Sequence, residues 1–169
     1  GHPALAPSES GFHGADLRGT AAFMIYFDTS YIAKCYLNEP EADRVRVLAK
    51  QGPGLSSVHL GRVEFWSVLN RHVREGRLTQ ANAAAIRRTF AEDEALRVWT
   101  WFPITSVLVN NACSMLERLP KSLSVRAADA VHLTCARDHG FAEVYSNDDQ
   151  LLRCAEAFGL TGVNVIPRP

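Results

Sequence analysis

Four carboxylates stand where an isolated acid is costly. Asp28 follows the apolar run at residues 23–27 directly. Glu64 is the one acid between His59 and Arg74, and it shares a helical stripe with Leu60, Val63, Ser67 and Val68, a face that reads as inward. Asp129 lies among alanines in Arg126-Ala127-Ala128-Asp129-Ala130-Val131-His132-Leu133, and Asp148 closes Tyr145-Ser146-Asn147-Asp148 after a short apolar run. Each has an ordinary explanation alone: a helix cap for Asp28, an ion pair with an arginine for Glu64, the helix dipole for Asp129, a cap or turn for Asp148. Together they point to one pocket. Converging carboxylates with no positive partner resist ionisation. A hard divalent cation, Mg2+ or Mn2+, resolves that conflict through oxygen ligands and retained water. The chemistry such a site supports is phosphodiester hydrolysis, with the metal polarising phosphate and activating water.

Bringing these acids together requires strand ends and helix faces to meet, and the chain alternates accordingly. Strand-like runs are expected at residues 23–27, 55–58, 98–104, 143–145 and 163–166. Helices are expected at 29–37, 41–50, 59–74, from the Thr79 cap to about 94, 106–118, 125–138 and 149–157. Gly76 and Gly140 mark helix ends. The pattern predicts an α/β protein: a single-domain α/β/α sandwich around a mostly parallel sheet. Ligands of such sheets collect at the carboxyl ends of the strands, where Asp28 and Asp148 fall.

With 169 residues there is room for one ordinary domain, expected over 23–169. Residues 1–22, rich in Gly, Pro and Ser, read as an N-terminal extension, and the opening Gly-His suggests a tag remnant. Eighteen Lys plus Arg balance eighteen Asp plus Glu, which excludes a polybasic protein that binds phosphate by bulk charge. A local basic groove remains compatible with neutrality. The longest apolar run, residues 21–27, is far too short to span a membrane, and the expected compartment is the cytoplasm. Cys35, Cys113, Cys135 and Cys154 are scattered in helix-like stretches without a Cys-x-x-Cys pair, and are expected to be reduced and buried.

Four short motifs carry a resemblance: Phe27-Asp28-Thr29-Ser30, Val63-Glu64-Phe65-Trp66, Ala128-Asp129-Ala130-Val131-His132-Leu133 and Ser146-Asn147-Asp148. In that order they resemble the PIN domain, and more narrowly the VapC-type toxins of bacterial toxin–antitoxin pairs, over about residues 25–167. The resemblance implies a metal-dependent endoribonuclease using Mg2+ or Mn2+. It implies metal ligation by Asp28 and Asp129, with Glu64 and Asp148 completing the acidic pocket directly or through water. Ser30 and Ser146 match small hydroxyl residues that would order water or the Asp28 carboxylate. An RNA substrate, a cognate antitoxin and a homodimer are implied in the same way.

Arg71, Arg74 and Arg77 follow Glu64 and are candidates for RNA phosphate contacts, against the ordinary reading of a solvated helix surface. Trp66 and Leu69 are candidates for an apolar antitoxin groove or for the core. His132 reads as a surface or packing residue. Two other classes stay open: a non-catalytic RNA-binding or interaction module on this fold, and another metal-dependent phosphoryl-transfer enzyme. Dinucleotide-binding and P-loop glycine signatures are absent from the sequence.

Overall fold

The computed structural model of the protein describes residues 23–52 and 54–166. The expected extension over residues 1–22 lies outside them. Along the chain run β1 (Ile25–Tyr26), α1 (Thr29–Tyr36), α2 (Ala42–Gln51), β2 (Leu55–Val58), α3 (His59–Arg74), α4 (Gln80–Ala95) and β3 (Trp99–Phe102). Then follow α5 (Ser106–Glu117), α6 (Ala127–Asp138), β4 (Glu143–Tyr145), α7 (Asp149–Cys154), a 3-10 turn (Ala155–Phe158) and β5 (Thr161–Val163).

Every strand pairing is parallel: β1 with β2, β2 with β3, and β4 with β5. A parallel bridge between Phe27 and Tyr145 joins the two groups, and the Asp28 N–H donates to the Tyr145 carbonyl at 3.1 Å. The spatial order is therefore β3-β2-β1-β4-β5. The chain winds outward from β1 to β3, then returns to the other side of β1 for β4 and β5. Between β1 and β4 the loops leaving the strands part in opposite directions, and in an open parallel sheet that reversal opens a crevice.

Alternating strand residues feed a core on each face of the sheet. Tyr26, Val58, Phe102 and Val144 pack under α5, α6 and α7 with Leu133, Phe141 and Leu151. Phe27, Leu55 and Trp99 pack under α1 to α4 with Tyr31, Phe65, Leu69 and Phe90. The result is the expected three-layer α/β/α sandwich. Thr79 caps α4 by accepting from the Asn82 N–H at 3.1 Å, and Thr105 caps α5 in the same way through Leu108.

Several expectations are corrected. The last strand is Thr161–Val163 rather than 163–166. Gly162 pairs with Val144 and passes so close to α7 that an added Cβ would lie 3.1 Å from the Leu152 carbonyl oxygen. A required glycine conceals this strand from propensity. The β-branched Val165 is instead held outside the sheet, its N–H donating to the Tyr31 hydroxyl at 2.8 Å. The helix expected over 149–157 tightens into 3-10 geometry at Ala155. Cys113 is exposed, not buried, although all four cysteines are free thiols. Val63 is 66% exposed, so the inward stripe of α3 excludes it. Leu69 is core, which removes it from any docking groove.

Candidate active site

Asp28 stands at the reversal between β1 and β4. It is the N-cap of α1, its Oδ1 accepting from the Tyr31 N–H at 3.1 Å and from the Ser30 hydroxyl at 2.6 Å. Its Oδ2 accepts from the Ser146 hydroxyl at 2.7 Å. Both Ser oxygens also receive backbone N–H groups from the β4 side, Ser30 from Asn147 and Ser146 from Asp148. The two serines thus lace the end of β4 to the Asp28 carboxylate. Burial pushes the Asp28 carboxyl above its ordinary value, against these hydrogen bonds and the nearby His132.

Asp148 caps α7, its Oδ1 accepting from the N–H groups of Gln150 and Leu151 at 2.8 and 3.3 Å. Its Oδ2 accepts from Arg126 at 3.1 Å. Asp129 lies in the first turn of α6, and its Oδ2 is buried with no hydrogen-bond partner. Its carboxyl is pushed up to about 6 by burial first and then by the charges of Asp148 and Asp28, with Arg126 and His132 opposing.

Glu64 reaches the same place from α3. Its Oε2 accepts from the Thr29 hydroxyl at 2.5 Å and from His132 Nε2 at 2.8 Å. Burial pushes its carboxyl up, but the His132 hydrogen bond and charge, with the Thr29 hydroxyl, hold it below the ordinary carboxylate range. An ionised carboxylate only accepts, so Nε2 donates to Glu64, and Nδ1 lies 3.3 Å from the Tyr26 hydroxyl. The Tyr26 oxygen accepts in turn from the Val58 N–H at 3.3 Å. His132, at 2% exposure, is therefore neither a surface residue nor inert packing. Gly61 leaves room for it: a Cβ there would lie 3.2 Å from the ring and 2.9 Å from Ser57 Oγ.

One cavity of about 400 Å3 is lined by Asp28, Glu64, Asp129 and Asp148, together with Ser30 and Arg71. Ser146 sits beneath it as a buried partner of Asp28. Arg74 and Arg77 are not among the lining residues, and Arg77 is paired with Glu75. Thr29, Glu39, Arg126 and His132 line the cavity as well. His132 was the most accessible of these from sequence, because Asp129 and His132 share a helix face at i, i+3.

The donor set suits a hard cation at two residues. Asp129 presents an orphaned oxygen beside two other acids, and unpaired buried carboxylates are expensive without a compensating positive charge. Among the described residues no three His, Cys, Asp or Glu side chains form a closed ligand set. Glu64 is bonded to His132 and Thr29, and Asp148 to Arg126. Water would have to complete any coordination sphere built on Asp28 and Asp129.

Among the described residues no helix is long and apolar enough to cross a membrane. A search of curated proteins found no match. Solved structures that share the fold include three toxin or toxin–antitoxin structures. A Mycobacterium tuberculosis structure described as the Sarcin-Ricin loop cleaving toxin VapC20 is 22% identical, with 75% of this chain and 92% of that chain covered at a TM-score of 0.59. VapBC2 from Rickettsia felis, bound to a DNA fragment from its promoter, is 11% identical, with coverage of 83% and 98% and a TM-score of 0.61. FitAcB from Neisseria gonorrhoeae is 17% identical, with coverage of 83% and 97% and a TM-score of 0.59. The PIN domain model matches residues 25–157, a span that holds all four acids, and the chain belongs to the PIN domain family.

Proposed function

We propose that the protein is a metal-dependent endoribonuclease acting in the cytoplasm as the toxin of a toxin–antitoxin pair. The observation that carries the reading is the convergence of Asp28, Glu64, Asp129 and Asp148 from four separate elements on one cavity, with the Asp129 oxygen left unpartnered. Asp28 and Asp129 would hold Mg2+ or Mn2+. When bound, such an ion polarises a phosphate and lowers the pKa of a water.

The chain's own residues supply the rest. Both hydrogen bonds to Glu64 fall on Oε2, which leaves Oε1 to orient the attacking water and accept its proton. The low carboxyl pKa keeps Glu64 ionised for that task at neutral pH. Arg126 offsets the negative charge of Asp148 and supplies positive charge for phosphate in the cavity. On a chain with no net charge, RNA affinity has to come from such local groups.

The toxin assignment, with a cognate antitoxin as protein partner, is supported by the likeness to VapC20, VapBC2 and FitAcB. A homodimer is part of the same reading. Attack by water rather than by the ribose 2′-hydroxyl has a direct test. RNA carrying 2′-deoxyribose at the mapped cleavage position should still be cut, within about tenfold of the normal rate, and no product should end in a cyclic phosphate. Abolished cleavage would assign the attack to the 2′-hydroxyl and overturn this chemistry.

A further inference from the structure

The cavity does not end at the acids. Glu64, Ser67, Val68 and Arg71 all line it, at i, i+3, i+4 and i+7 on α3, so they form one helix face. With a rise of 1.5 Å per residue, Arg71 stands about 10 Å beyond Glu64. α1 runs beside this face, with Thr29 and Ala33 also lining the cavity. At the far level sits Glu39, whose Oε2 is 3.1 Å from Lys34 Nζ and whose Oε1 is 3.7 Å from His72 Nε2. Lys34 is only 6% exposed, and it also donates to the Pro40 carbonyl at 3.3 Å. A buried ammonium is costly unless it is paired, and this one holds a carboxylate that none of the four acids needs.

Resting on the ribonuclease reading above, we propose that the Glu39–Arg71 end of the cavity is a nucleobase subsite that takes a guanine beside the cleaved phosphate. Ala33 and Val68 give it apolar walls for a flat ring. Single-stranded RNA is read in this way, with bases splayed out and hydrogen-bonded along their edges. Guanine presents adjacent N1–H and N2–H donors to a carboxylate, with O6 and N7 as acceptors for a guanidinium. Each carboxylate oxygen accepts more than one hydrogen bond, so Lys34 fixes Glu39 through Oε2 without exhausting it. Adenine and uracil offer no such pair of adjacent donors.

The test uses the full chain with Mg2+ and short single-stranded RNAs that carry one guanosine among adenosines and uridines. The same RNAs are made with inosine, which lacks the N2 amino group. Cleavage should fall next to guanosine and slow about tenfold with inosine. Glu39→Gln should lose about the same factor on guanosine RNA and show no further loss with inosine. Arg71→Ala, at an exposed position, should weaken guanosine cleavage with its unfolding temperature unchanged. If Glu39→Gln does not fold because Lys34 loses its partner, the inosine comparison on the unaltered protein decides alone. Equal cleavage of guanosine, inosine and adenosine RNAs would overturn the subsite and leave the nuclease standing. Failure to cut any RNA would overturn both.

Discussion

Asp129→Asn should abolish RNA cleavage, by about a thousandfold or more, and at the same time make the metal-free protein more stable. The two effects share one cause. Asp129 has a buried oxygen without a partner, and the charges of Asp148 and Asp28 lie close by. Its carboxyl is pushed from 3.8 up to about 6, so the charged form is disfavoured in the folded state relative to the unfolded one. The resulting penalty is complete above pH 6 and vanishes as the pH falls below about 4, where both states bind the proton. Because Asp129 is still partly open to water, the gain from the amide at pH 7 is put at about 1 kcal/mol. Thermal unfolding across this range checks it. The variant should melt higher at pH 7, and the two proteins should converge near pH 4. Added Mg2+ should raise the melting temperature of the unaltered protein only. A variant that is less stable at pH 7, or that binds Mg2+ as tightly as before, would remove Asp129 from the metal site.

His132→Ala should lower turnover about a hundredfold while leaving the KM for RNA within about twofold. Glu64 is held by one side chain on α1 and one on α6, and the histidine is the buried one. The ring is itself oriented by Tyr26, which is anchored on the Val58 N–H at the end of β2. His132 is a positioning residue, acting on the water through Glu64. Two variants separate that role from packing. His132→Gln keeps an N–H that can reach Glu64 and should recover a substantial part of the lost turnover. Tyr26→Phe removes only a hydroxyl, and should cost about tenfold in turnover without unfolding the protein. If His132→Ala kept normal turnover, Glu64 would not depend on the ring.

Much of this arrangement is legible in the sequence, because strand ends and helix faces follow from local patterns. The Leu55–Val58 and Glu143–Tyr145 strands and the His59–Arg74 helix lie at their expected bounds. Asp28 and Asp148 are both helix caps and cavity residues, so the ordinary capping reading of each holds and leaves the proposed functional one open to it. What escapes the sequence is decided by distant contacts. His132 lies 68 positions from Glu64, and nothing local to either residue specifies their bond. Glu39 is held at the cavity by the buried Lys34 of α1 at 3.1 Å, a contact that the charge pattern does not announce. β5 is hidden by a glycine that close packing against Leu152 demands. Cys113 shows the same limit from the other side, since a small apolar residue on a helix gives no sign of which face the fold covers.

The central claim is that the Asp28 pocket cuts RNA with a divalent metal. It is tested most directly by incubating a mixed cellular RNA pool with the purified protein, in Mg2+ or Mn2+ and in EDTA, beside Asp28→Asn. The account predicts discrete cleavage in the presence of metal, none in EDTA, and loss of about a thousandfold or more in a variant that remains folded. Equal cleavage by the variant, or cleavage that persists in EDTA, would contradict it.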